Sequence, residues 1–135
     1  MNDTNKKTSP TRVTPSLINA LEPNEIFVFG SNIRGMHMGG AARVAYNKFG
    51  AEWGNGEGLQ GQSYALSTME GLENIKIAVE HFCDCAKEHP ELHFLVTPVG
   101  CGIAGYTANE IAPLFRNASQ LPNVYLPMNF WKNLI

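Results

Sequence analysis

The chain has 135 residues, 44% of them hydrophobic and 16% charged, which describes one soluble globular domain with enough length for a core and none for a second domain. Formal net charge is -2 and the ten Lys and Arg are scattered, so non-specific binding along a nucleic-acid backbone is not expected. No apolar run reaches the roughly 18 residues of a membrane span and the N-terminus has no apolar signal core, while Cys83, Cys85 and Cys101 make an odd set unsuited to a disulfide framework; the expected setting is the cytoplasm, away from any membrane.

Residues 1–16 are mostly Thr, Asn, Lys and Pro and read as a polar tail or arm, leaving 17–135 as the domain. Ile26 to Gly30 (IFVFG) is a short apolar run closed by glycine, the pattern of a strand buried on both faces. A helix is expected from Gly40 to Phe49. The glycine-rich segment Gly50 to Gln62 reads as one long irregular loop, a length that usually signals function or mobility. A strand follows over Ser63 to Thr68. From about Gly71 to Glu88 the residues Leu72, Ile75, Val79, Phe82 and Ala86 recur on one helical face. His81, Cys85 and His89 also recur there, but the outer pair lies about 12 Å apart along a helix, too far for three ligands of one ion, and no metal site is expected. Strands His93 to Val99 and Asn123 to Pro127 enclose a last helix, Ala108 to Ala118, in which Pro113 implies a kink or a later start. This alternation predicts an α/β fold: a mostly parallel sheet covered by helices on both faces, in three layers α/β/α.

In open parallel sheets, ligands bind beyond the carboxyl ends of the strands. Two glycine loops are expected there. The first, from Gly30 through Ser31 and Asn32 to Gly39 and Gly40, opens a helix, where missing side chains and free amides favour a close-lying anion. The second runs through Gly100, Cys101, Gly102, Ile103, Ala104, Gly105 and Tyr106, and Thr107 and Glu110 have capping-box spacing just after it. Its GxGxxG pattern does not fit a dinucleotide fold, because it comes in the last unit and no Asp or Glu follows Glu110. Amides from both loops together could cradle a diphosphate with little positive charge.

The succession VFGSN (Val28 to Asn32), GGAARVA (Gly39 to Ala45), SYALST (Ser63 to Thr68) and VTPVGCGIAGY (Val96 to Tyr106) resembles the macrodomain family, from about Ile26 to Phe130. The second loop is most similar to the branch that removes ADP-ribose from glutamate or DNA. The resemblance implies that Asn32 contacts the distal ribose, that both glycine loops hold the diphosphate, and that Tyr106 stacks on the ribose. It also implies a small-molecule partner, ADP-ribose or an ADP-ribosylated substrate, and no cofactor. The chain departs from that branch in having Arg34 but no lysine in the first loop, and only Glu110 as an acid near the second. The residues that usually precede the first loop, including an adenine-binding Asp, have no counterpart.

The expected function is therefore an ADP-ribose binding module or an ADP-ribosyl glycohydrolase attacking the anomeric carbon of the distal ribose. Its candidate acid or base is Glu57, the one carboxylate of the GNGEGLQG stretch, or His37 in the first loop. Phe130 and Trp131 either flank an adenine ring or close the core. The alternatives are a Rossmann-like nucleotide phosphoribohydrolase, whose PGGxGT-like loop is missing here, and a non-catalytic protein with an empty cleft.

Overall fold

The computed structural model describes residues 10–135. At its centre is one five-stranded sheet, built from β1 (Glu25–Ser31), β2 (Gly58–Gln60), β3 (Ser63–Ser67), β4 (His93–Val96) and β5 (Val124–Tyr125) in the order β2-β3-β1-β4-β5. The strand β1 is parallel to both neighbours, with Phe29 opposite Ala65 and Phe27 opposite Leu95, and β5 continues the parallel arrangement. The strand β2 is antiparallel to β3. Because β1, β3 and β4 run the same way, the chain leaves all three at one edge of the sheet.

Alternation along β1 divides the core in two. Ile26 and Val28 face a large cluster that includes Ile75, Val79 and Phe82 of α2 (Leu72–Glu88), whereas Phe27 and Phe29 face a smaller one with Ala42 and Ala45 of α1 (Gly40–Lys48). Buried side chains thus lie on both faces of β1, which is why its sequence is continuously apolar rather than alternating. In the larger cluster Phe82 meets Tyr64 and Phe94 edge-on, with centroids 5.2 and 5.5 Å apart, and each such ring contributes roughly 1.5–3 kcal/mol by burial. The fold is mixed α/β with a mostly parallel sheet, as the sequence pattern requires. Among the described residues no helix is long and apolar enough to cross a membrane.

Four local differences separate the structure from the expected elements. The strand β4 stops before Pro98, because Thr97 turns its amide and its hydroxyl together onto the Val28 carbonyl, at 3.1 and 2.7 Å, and proline has no N–H with which to continue the ladder. The last helix is split: α3 (Ala108–Ile111) passes directly into a 3-10 turn, Ala112–Phe115, at Pro113. The segment Gly50 to Gln62 is not wholly irregular, since Gly58–Gln60 forms a hairpin with β3 in which Gln60 pairs with Ser63. A short helix, α4 (Met128–Lys132), also follows β5 and was not expected. It buries Phe130 and Trp131 in the larger cluster, so the structure favours their core role over flanking a ligand.

The polar N-terminal stretch, where described, is docked. Val13 forms a parallel bridge with Leu126; the Thr14 amide donates to the Leu126 carbonyl at 2.9 Å, and the Leu126 amide donates to the Arg12 carbonyl at 3.2 Å. Residues 1–9 of the expected tail lie outside the described residues.

Candidate functional site

The residues that follow β1, β3 and β4 converge on one cleft of about 640 Å³. From the first loop come Gly30, Ser31, Asn32, Met36 and Met38, continuing into Gly39, Gly40, Ala41 and Ala42 at the start of α1. From the third come Thr97 to Gly100, then Gly102, Ile103 and Ala104. The two glycine loops are therefore two walls of one space. Thr68 and Met69, just past β3, complete it. They were missed in the sequence, although the parallel-sheet rule that selected the two glycine loops applies equally to the residues after β3.

Backbone amides dominate the polar character of the second wall. Three hydrogen bonds close this loop on itself: Cys101 N–H to the Pro98 carbonyl at 3.2 Å, Gly105 N–H to Gly102 at 3.0 Å, and Tyr106 N–H to Gly100 at 2.9 Å. The amides of Gly100, Gly102, Ile103 and Ala104 donate to no described residue. On the first wall α1 begins at Gly39 with no side-chain cap and no acidic residue in its first turn, so its leading amides and the positive end of its dipole are left to whatever enters the cleft. Among the described residues no Asp, Glu, Lys, Arg or His lines it. An anion here would be held by peptide N–H groups and neutral side-chain donors such as Ser31, Asn32 and Thr68.

Several expected contacts fall elsewhere. Cys101, Gly105 and Tyr106 do not line the cleft; Cys101 and Tyr106 pack against the larger core cluster behind the loop. At the start of the loop Gly100 takes a φ of +76°, and an added Cβ there would stand 2.9 Å from Ile111 Cδ1. Arg34 is exposed and outside the cleft. Asn32 does reach it, but its amide already clasps the loop, donating to the Met36 carbonyl at 3.0 Å and accepting from the Met36 amide at 3.1 Å.

Neither candidate acid or base is brought to the cleft. His37 is fully buried, its Nε2 is 2.8 Å from the Glu52 carbonyl and its Nδ1 3.5 Å from Ser31 Oγ, with Phe29 edge-on at 5.2 Å. Its ring holds the first loop to the chain after α1. Glu57 is exposed and is not among the cleft residues. Gln60, 3% exposed, belongs to the same brace, its Oε1 accepting from the Glu52 amide at 2.7 Å.

Burial raises the Cys101 thiol above its ordinary value and Glu110 pushes it the same way, so the glycine loop does not activate it. Burial, as the largest cause, also raises Cys83, Cys85 and the Tyr64 phenol. For each of these acids the folded state holds its proton to higher pH than the unfolded chain does. Their contribution is constant below the unfolded values, and stability falls as pH rises through them, from roughly 8.5 for thiols. Thermal melts between pH 7 and 10.5 should show a falling midpoint above that value, lessened in a Cys83→Ala, Cys101→Ala double variant; a flat profile would contradict the burial of these groups.

Comparison of the chain with protein-family models, with curated proteins and with solved structures finds no match.

Proposed function

We propose that the cleft binds ADP-ribose, or a close relative in which a nucleoside diphosphate carries a second ribose, and that the protein is a binding module of macrodomain type rather than a hydrolase. In this reading the sheet, with α1 against one face and α2 against the other, is the three-layer scaffold of that family. The observation that carries the proposal is that both glycine loops line one cleft, that the amides of Gly100, Gly102, Ile103 and Ala104 have no partner among the described residues, and that no charged side chain is among the described lining residues. A diphosphate fits such walls because its charge is spread over several oxygens, each of which can accept from a peptide N–H. Asn32 keeps one amide hydrogen and one lone pair for a ribose hydroxyl while it clasps Met36.

Binding without hydrolysis follows from what lines the space. Attack of water at an anomeric carbon needs a group that can take or give a proton within about 3 Å, directly or through one water. Among the described residues the cleft offers hydroxyls, an amide and thioethers, but no side chain that titrates near neutrality.

Calorimetry with ADP-ribose, ADP, AMP and NAD tests the proposal. ADP-ribose should bind at least tenfold more tightly than ADP, since the ribose hydroxyls meet polar groups that ADP leaves unfilled. Equal affinities would favour a plain nucleotide site instead. In parallel, ADP-ribosylated glutamate, arginine and thymidine should be released slowly or not at all; brisk turnover unaffected by Glu57→Gln would reject the binding-module assignment.

A further inference from the structure

Three of the chain's five methionines line the cleft. Met36 and Met38 stand on either side of His37 in the first loop, and Met69 follows β3. The His37 ring is buried against Glu52 and Phe29, whereas the methionines beside it are 38% and 64% exposed and Met69 is 46% exposed. Asn32 clasps the Met36 backbone at both its N–H and its carbonyl, so that side chain is presented from a fixed point of the wall. Small solutes reach all three side chains from the space that a ligand would occupy.

Donors and acceptors in the cleft are out of balance. The amides of Gly100, Gly102, Ile103 and Ala104 donate to no described residue, and α1 starts with neither a side-chain cap nor an acidic residue in its first turn. A thioether sulfur is a weak acceptor and leaves such donors to an incoming anion. A sulfoxide does not: one added oxygen makes a flexible apolar chain polar, with a strong acceptor near its tip. The same free amides disfavour a soft metal cation, the other partner that three thioethers suggest. Cys101, the thiol of the second loop, packs behind it, and burial holds it protonated, whereas the thiolate is the reactive form.

We propose that Met36, Met38 and Met69 form an oxidation site that closes the cleft to its ligand. A thioether sulfur attacks one oxygen of hydrogen peroxide; the S–O bond forms as the O–O bond breaks, the sulfur is oxidised by two electrons and the peroxide reduced by two. The departing hydroxide takes the proton from the sulfur-bound oxygen and leaves as water. The sulfoxide oxygens then accept from the amides that would hold a diphosphate. The inference rests on the reading of the cleft as a diphosphate site and adds to it a reversible control, since sulfoxide reductases return both epimers to the thioether.

The full chain is treated with hydrogen peroxide and then with dithiothreitol, which returns sulfenic acids and disulfides to thiols but leaves sulfoxides. Peptide mass spectrometry should place oxygen on Met36, Met38 and Met69, and calorimetry should show ADP-ribose bound at least fivefold more weakly, with recovery after the two sulfoxide reductases. In the ligand-free protein the amide signals of Gly100, Gly102, Ile103 and Ala104 should shift on oxidation. Met128 provides the internal control, because it is also exposed but lines a different cavity. Each variant is compared with its own untreated sample: Met128→Leu should keep the peroxide-induced loss, and the Met36→Leu, Met38→Leu, Met69→Leu triple variant should lack it. Saturating ADP-ribose should also protect the three cleft methionines and not Met128. Unchanged affinity with all three oxidised, a loss that the reductases do not reverse, or an equal loss in the triple variant would overturn the proposal; the reductase step uses the unaltered chain and so does not depend on the triple variant folding. An untreated protein that failed to bind ADP-ribose would instead count against the reading of the cleft, and the amide shifts, which need no ligand, would still decide whether the sulfoxides reach the free amides.

Discussion

A folded Gly102→Val protein should lose at least tenfold in ADP-ribose affinity, about 1.4 kcal/mol, with its melting temperature nearly unchanged. The two halves of this expectation have separate grounds. An added Cβ at Gly102 meets no atom within 4 Å and the residue lies outside the left-handed region, so the protein itself has room for a side chain there. The same residue lines the cleft between two amides that make no internal hydrogen bond, so the isopropyl group would stand where a ligand must approach the backbone. Gly100→Val is the opposite case. Its Cβ would stand 2.9 Å from Ile111 Cδ1 at a φ of +76°, and loss of binding there could not be told apart from loss of the loop. Isothermal titration with Gly102→Val beside the unaltered protein decides the point, and equal affinities would remove the second loop from the site.

How far the sequence already spoke for this arrangement depends on whether a signal was local. Continuous apolar runs marked β1, β3 and β4, and the strand–helix alternation implied parallel pairing, because those patterns report burial on two faces and the direction of the crossover. The rule that ligands collect at strand carboxyl ends then selected Gly30 to Asn32, Gly39, Gly40 and the Gly100 loop, and the structure brings these loops together at one cleft. The hairpin strand Gly58–Gln60 was hidden because three residues between glycines carry no periodicity. His37 could not be placed from its neighbours. Its burial depends on Glu52, 15 residues away, whose carbonyl takes Nε2, and on Phe29 across the loop. The docked N-terminal arm is a stronger instance: Arg12 binds carbonyls 107 and 112 positions later, and a polar stretch with almost nothing apolar to bury reads as a tail when such partners are out of view. Tyr106 packs against the larger core cluster rather than among the cleft residues, a placement that depends on long-range packing and is invisible to its neighbours in the chain.

Gly56→Ala should have the reverse outcome to a substitution at Gly102, a loss of about 2–4 kcal/mol of stability and roughly 10 °C of melting temperature. Gly56 is buried in the glycine-rich stretch and lies against the first loop, where an added Cβ would come within 2.1 Å of the Asn32 carbonyl oxygen and 2.9 Å of the Ile33 carbonyl. Both neighbours are backbone, so neither can swing away as a side-chain tip would. The crossing is tight on its other side as well: Gly35 has φ of +69° and a Cβ there would stand 2.3 Å from the Asn55 amide nitrogen, while Gly54 N–H donates to the Gly35 carbonyl at 2.9 Å. Glycine at 35 and 56 is thus what lets the two loops lie backbone to backbone, with His37 reaching across to Glu52 to hold them. Displacing Asn32 by the width of a methyl group would also move a wall of the cleft, so Gly56→Ala should weaken ADP-ribose in the molecules that remain folded, whereas Gly102→Ala should leave stability intact. Denaturant unfolding of the two alanine variants side by side provides the measurement. A Gly56→Ala protein as stable as the parent would mean that the loops do not cross as closely as described, and would remove the reason for placing Asn32 at the cleft wall.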